Sequence, residues 1–157
     1  MARPMEIQPG GLDRAEVGEL LREHLRSLAQ LSPPESMHAL DLDSLREPAI
    51  TFWTVWDGEA LLGCGALKEL DSRHGEIKSM RTAAKYLRQG VAQRMLQHIL
   101  EEAQRRAYRR LSLETGSMAA FAPARRLYAS CGFTECEPFA DYVVDPNSVF
   151  MTRQLPG

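Results

Sequence analysis

No two cysteines in this chain are spaced as CxxC, and no HExxH or other zinc-ligand spacing links its four histidines, His24, His38, His74 and His98. A metal site is therefore not expected. The three cysteines, Cys64, Cys131 and Cys136, are odd in number and scattered. With no apolar leader after Met1, they point to a reducing cytoplasm and not to an exported disulfide framework. No apolar run approaches the roughly 20 residues that span a bilayer. Positive charge is not in excess: 19 basic residues against 21 acidic ones leave a net charge of −2, which argues against a nucleic-acid partner. GxGxxG is missing too, so a dinucleotide-binding Rossmann domain is disfavoured. No repeat, linker or low-complexity stretch divides the 157 residues, and one domain over 1–157 is expected.

What is present is ordinary globular composition, 44% hydrophobic and 25% charged, with clear periodicity. Residues 5–8 read as a short first strand, ended by Pro9-Gly10-Gly11. Asp13 is placed to cap a helix whose Val17, Leu20, Leu21, Leu25 and Leu28 share one face. Ser32-Pro33-Pro34 stops that helix. A second short helix is expected over residues 41–46, before Pro48. Residues 49–56 are β-branched and aromatic, and Asp57-Gly58 marks a hairpin into a strand over 60–70. Gly63 and Gly65 in that strand flag a bulge or a close backbone approach. A fourth strand starts at Glu76.

A helix over residues 91–107 follows, with Ala92, Met95, Leu96, Ile99, Leu100 and Ala103 on one stripe. Arg105, Arg106, Arg109 and Arg110 crowd its end, where they suit the helix dipole or, alternatively, a ligand phosphate. Strands over 109–115, 133–139 and 149–154 enclose one more helix, over residues 121–131. Gly132 and Phe133 fit the stop of that helix. These elements describe an α/β (α+β) chain. Its mixed, mostly antiparallel sheet has six to seven strands and is flanked by about four helices.

The stretch from Glu76 to Tyr108 organises the rest. It reads as strand, glycine-containing loop and helix. The loop presents backbone N–H groups at a helix N-terminus, where an anion such as a phosphate is favoured. Tyr128 lies on the apolar face of the later helix and reads, from spacing alone, as a core tyrosine. Glu76 and Glu114 read as surface or salt-bridged strand residues.

Motif and order together change these readings. Met80-Arg81-Thr82 on the fourth strand, Arg88-Gln89-Gly90-Val91-Ala92 in the loop, and Leu127-Tyr128 followed by Gly132-Phe133 resemble the GNAT superfamily of acyl-CoA-dependent N-acyltransferases. The resemblance covers nearly the whole chain and is closest to small bacterial members. Two positions depart from the family pattern: Leu87 stands where a Gln or Arg usually opens the loop, and Phe121 where an Asn usually precedes the tyrosine.

The resemblance implies acetyl-CoA as cosubstrate. Its pyrophosphate would lie on Arg88, Gln89, Gly90, Val91, Ala92 and Gln93. Its pantetheine arm and thioester would lie along Met80, Arg81 and Thr82, where an N–H aimed at the thioester oxygen would stabilise the oxyanion. Tyr128 is then the candidate general acid for the departing thiolate, since a tyrosine near pKa 10 is protonated at neutral pH. The amine must lose a proton, and Glu114, Glu76 or a water could take it. No poised nucleophile is evident, so direct attack in a ternary complex is expected. The acceptor is expected to be the primary amine of a small molecule or amino-acid-like compound. It would be recognised by residues 32–41 and 139–148, with Glu35, His38, Asp41, Asp141 and Asp145 as candidate contacts. No nucleic-acid or membrane partner is expected, and monomer and homodimer both stay open. The reading from another class is a catalytically silent acyl-CoA-binding sensory module on the same fold.

Overall fold

The short strand repeats and the two long amphipathic stripes assemble around one sheet. The computed structural model describes residues 4–37 and 40–156. Seven strands, β1 (Glu6–Pro9), β2 (Ile50–Asp57), β3 (Ala60–Asp71), β4 (His74–Thr82), β5 (Arg110–Gly116), β6 (Thr134–Cys136) and β7 (Ser148–Gln154), pair in the order β1-β2-β3-β4-β5-β7-β6. Three helices join them: α1 (Ala15–Leu31), α2 (Val91–Arg105) and α3 (Ala122–Ser130). Every strand pair is antiparallel except β4 and β5, which are parallel.

Period-two alternation in β3 sorts the core. Cys64 and Ala66 face α1, packing with Val17, Leu20, Leu21, Phe52 and Trp56. Leu67 belongs to the larger cluster on α2, with Met95, Leu96, Ile99, Leu111, Leu113 and Met151, and Leu62 joins it against the alternation because the β2–β3 register shifts there, between Val55 and Trp56. Gly63 and Gly65 face the same helix and are where α2 comes closest. A Cβ on Gly63 would lie 2.6 Å from the Arg81 carbonyl oxygen and 2.9 Å from Val91 Cγ1. One on Gly65 would lie 2.7 Å from Met95 Cγ. The face of β4, β5 and β7 that α1 leaves open is covered by residues 137–147. Their Phe139 and Tyr142 rings pack on each other and on Phe150 (centroids 5.1–5.9 Å).

Several expectations are corrected. The helix expected over 41–46 is one 3-10 turn, Ser44–Arg46, so the helices number three and not four. Six residues before a proline cannot recover the cost of helix nucleation. Asp13 does not cap α1; Arg14 occupies the cap with no side-chain bond, and Asp13 pairs with Arg46 at 2.8 Å. Strand β6 is three residues long, shorter than the 133–139 expected. Phe133 is taken up by the stop of α3, and Pro138 has no N–H for a ladder. On α2 the buried stripe begins at Val91, while Ala92 is half-buried. The arginines Arg105 and Arg106 bond Glu102 at 2.6 and 2.8 Å, a local helix-end network.

A glycine-to-alanine change in a strand usually gains stability. Gly63→Ala should instead cost about 1–3 kcal/mol, because the new methyl meets a backbone carbonyl that cannot yield cheaply. Urea unfolding of the variant beside the parent protein checks this; equal midpoints would contradict the close approach.

Candidate active site

The parallel pairing of β4 with β5 lasts three residues, His74–Glu76 against Arg110–Ser112, and then stops. Beyond it, β4 leaves the straight course. Its register against β3 shifts between Cys64 and Ala66, and Ser79 there adopts φ +54°. A non-glycine residue in the left-handed region, with an extra residue in the ladder, is a bulge that turns the strand. Residues 77–82 therefore diverge from residues 113–116, and backbone groups of β4 that do not pair with β3 face the gap. The gap holds a cavity of about 150 Å³.

The cavity passes between the strands, since sequence neighbours that point to opposite faces, Leu113 with Glu114 and Ile77 with Lys78, all line it. That passage lets Tyr128, on a helix of one face, share a space with Glu76 and Glu114 of the other. The stop of α3 sets the tyrosine in place. Gly132 takes φ +92°, the Gly132 N–H bonds the Ala129 carbonyl, and the Phe133 N–H bonds the Tyr128 carbonyl, both at 3.1 Å. This left-handed stop brings the Phe133 ring edge-on to Tyr128, centroids 5.9 Å apart. Burial and the neighbouring Glu114 charge push the Tyr128 hydroxyl above its ordinary range, so it stays protonated.

The two glutamates are treated differently. Glu76 is 2% exposed; it accepts hydrogen bonds from Lys78 Nζ at 3.1 Å and from the Tyr142 hydroxyl at 2.5 Å. Glu114 is half-buried, and burial pushes its carboxyl up to about 7. The Ser148 hydroxyl and the Lys78 ammonium oppose that rise, while the Glu76 and Asp145 charges add to it. His24 of α1 also lines the cavity. Burial and the Arg81 charge push it down to about 4, so it is neutral at pH 7.

The loop between β4 and α2 is positioned by two left-handed residues, Arg88 (φ +64°) and Gly90 (φ +86°), with Gly90 as the N-cap. The buried Val91 anchors the turn, while Arg88, Gln89, Gly90 and Gln93 are exposed and Ala92 is half-buried. The first bond back to the cap is made by the Arg94 N–H to the Gly90 carbonyl at 3.0 Å. The amides of Val91, Ala92 and Gln93 therefore have no acceptor in their own helix. A Cβ on Gly90 would meet nothing within 4 Å, so the loop has open space for a ligand. Leu87 points to solvent at 56% exposure. Phe121 lines the cavity and lies over Gly116, where a Cβ would come within 2.2 Å of its ring.

Of the remaining sequence candidates, Met80 lines the cavity, whereas Arg81 bonds Ser27 Oγ of α1 at 3.2 Å and Thr82 pairs with Gly63. Glu35 is exposed on the turn Pro34–Ser36, whose Ser36 faces the cavity with Met37. Asp41 holds the Ser44 N–H at 2.8 Å, which keeps its carboxyl below the usual range, and it does not line the cavity. His38 lies outside the described residues. Asp145 does not line the cavity, but it accepts a bond at 2.5 Å from Ser36 Oγ, whose residue does. Asp141 lines a second cavity of about 310 Å³, on the other side of Glu76 and Tyr142.

Lys78 and His24 were not legible as site residues, and Ser36 and Tyr142 lie in the expected segments 32–41 and 139–148 without being singled out there. Tyr142 sits in irregular chain without periodicity, and its only sequence signal is an aromatic in a polar segment. Together the groups can accept a proton, donate a proton and hold an anion. A carboxyl near 7 suits a general base at neutral pH, and a protonated tyrosine suits an acid.

The Acetyltransferase (GNAT) family matches residues 17–133. A Bacillus subtilis protein named uncharacterized N-acetyltransferase YsnE is 64% identical over 96% of this chain and 100% of its own length. An Escherichia coli protein named uncharacterized N-acetyltransferase YedL is 54% identical over 95% of this chain and 94% of its own length. Among solved structures, an acetyltransferase of Bacillus subtilis in complex with CoA shares the fold, with a TM-score of 0.73 and 18% identity over 98% of this chain and all of the other.

The folded Glu114 carboxyl holds its proton more tightly than the unfolded one. Its contribution to stability is therefore full below about pH 4.5 and is lost as pH rises through 7. Glu114→Gln should match the parent near pH 4 and exceed it by about 1–2 kcal/mol at pH 8, allowing for the solvent on the open side of the carboxyl. Urea unfolding at the two pH values reads the difference; a variant less stable at pH 8 would show that the carboxylate is not strained by burial.

Proposed function

The chain belongs to the GNAT acetyltransferase family, and on that premise we propose that it moves an acetyl group from acetyl-CoA to a primary amine of a small or amino-acid-like acceptor. The observation that carries this reading is the shared cavity at the β4–β5 gap, where Glu114, titrating near 7, faces Tyr128.

The residues present suit acetyl-CoA. The exposed amides at the N-terminus of α2 would take the pyrophosphate through backbone N–H groups, with Arg88 and Gln89 alongside. Such a site needs no particular side chain at position 87. The unpaired edge of β4 around Met80 would hold the extended arm. The thioester supplies an activated acetyl carbonyl and a thiolate leaving group.

Glu114 takes the proton from the acceptor's ammonium, directly or through a water, and the Tyr128 hydroxyl gives one to the departing sulfur. Transfer is direct. Cys64 is buried with its thiol pushed up to about 12, Cys131 lies outside the cavity lining, and Ser36 is bonded to Asp145. The carboxyls of Glu76 and Glu114 in the cavity lining, with Asp145 close enough for its charge to reach Glu114, outnumber Lys78, the one ammonium among the described lining residues, and favour a cationic acceptor. The whole of 1–157 acts as one catalytic domain. The three free thiols suit the cytoplasm, and no helix among the described residues is long and apolar enough to cross a membrane.

Millimolar acetyl-CoA should raise the Tm by mass action. A screen of small amines that follows free CoA should find turnover whose kcat/KM climbs with pH to a plateau above about 7. Glu114→Gln should abolish that climb and lower kcat/KM by about 100-fold. Tyr128→Phe should lower kcat by about the same factor while the acetyl-CoA-induced rise in Tm persists. No Tm rise would overturn the cosubstrate assignment, and an unchanged pH profile in Glu114→Gln would remove Glu114 as the base.

A further inference from the structure

Lys78 is the one ammonium among the described residues that line the cavity, and it sits between two carboxylates. It bonds Glu76 Oε2 at 3.1 Å, and its charge also reaches Glu114 across the gap. An ammonium that moved fully to Glu114 would hold that carboxylate ionised and weaken it as a base, by about one to three pH units for an opposite charge in contact. Something must keep Lys78 where it is. The Tyr142 hydroxyl accepts a hydrogen bond from Lys78 Nζ at 2.8 Å and donates one to the same Glu76 oxygen at 2.5 Å. Lys78, Glu76 and Tyr142 thus form a closed ring of three hydrogen bonds. Both charged side chains in it are nearly sealed from solvent, with 8% of Lys78 and 3% of Glu76 exposed.

The tyrosine is itself held. Its ring packs against Phe139 and Phe150, and burial with the adjacent Glu76 charge keeps its hydroxyl protonated and able to donate. It enters the ring from residues 137–147, a segment distant in sequence from both Lys78 and Glu76.

We propose that Tyr142 is a positioning residue whose hydroxyl locks Lys78 onto Glu76 and so withholds the cavity's ammonium from Glu114. The inference deepens the reading of Glu114 as the base, and it explains why two glutamates in one cavity take different parts. Glu76 is the partner that occupies Lys78, and Glu114 is left able to take a proton. The other groups facing Glu114 are Asp145 and Ser148 on the β7 side, Tyr128 on α3 and the neutral His24 on α1. None of them is a cation that could replace Lys78.

The test is a carbon-13 carboxyl NMR titration of the full chain, with the Glu114 signal identified by its loss in Glu114→Gln. It needs no acceptor and no turnover. Tyr142→Phe keeps the packed ring and removes only the hydroxyl. It should lower the Glu114 midpoint by about one pH unit, a tenfold loss of proton affinity. In a Lys78→Gln background, where an amide still donates to Glu76, adding Tyr142→Phe should leave the Glu114 midpoint unmoved. An unmoved or raised midpoint in Tyr142→Phe overturns the proposal, as does the same downward shift in the Lys78→Gln background. Where turnover is measurable, the rising limb of kcat/KM should follow the midpoint downward. A midpoint that shifts as expected while the limb stays fixed upholds the lock and overturns Glu114 as the base.

Discussion

The structure depends on one interruption: β4 and β5 begin as hydrogen-bonded parallel neighbours and part after three residues. A continuous ladder would bury the backbone of β4 and close the sheet, leaving the two faces without communication. The bulge at Ser79, with its left-handed φ, turns β4 away. The glycines at 63 and 65 let α2 follow closely enough to support the displaced strand. Unpaired backbone inside a protein is costly unless something satisfies it. Here the gap opens to a cavity, so the exposed edge can serve an extended ligand.

The same gap decides the electrostatics. Two glutamates meet there in different surroundings. Glu76 has an ammonium and a phenol; Glu114 has mainly burial and neighbouring negative charge. Desolvation raises the Glu114 carboxyl further than the Ser148 hydroxyl and the Lys78 charge lower it. The difference between the glutamates follows from these placements and not from any difference in residue type.

The proposed anion site is of another kind. It would rest on backbone amides at the start of α2, where Arg88, Gln89 and Gln93 are exposed while Val91 is buried and Ala92 half-buried. Such a site would tolerate Leu87, because the dipole and the amides do not depend on that side chain. The cavity wall tolerates Phe121 for a different reason: its ring is seated on Gly116, the one residue there with no Cβ to displace it.

Much of this was legible in the chain itself. Alternation, turn dipeptides and helical stripes were enough for the element order, because each depends on neighbours within a few residues. Gly132-Phe133 announced a left-handed stop, and Gly90 the turn into α2, for the same local reason. The expected fourth helix failed because a short, weak pattern is decided by its surroundings, here by Pro48 and a side-chain turn at Asp41. Tertiary structure alone decided which glutamate is held by donors. Glu76, Lys78, Glu114 and Tyr142 come from β4, β5 and an irregular segment as many as 66 residues apart. Burial and charge at that range depend on how the chain folds back, and a carboxyl's proton affinity belongs to the assembled site, not to the residue.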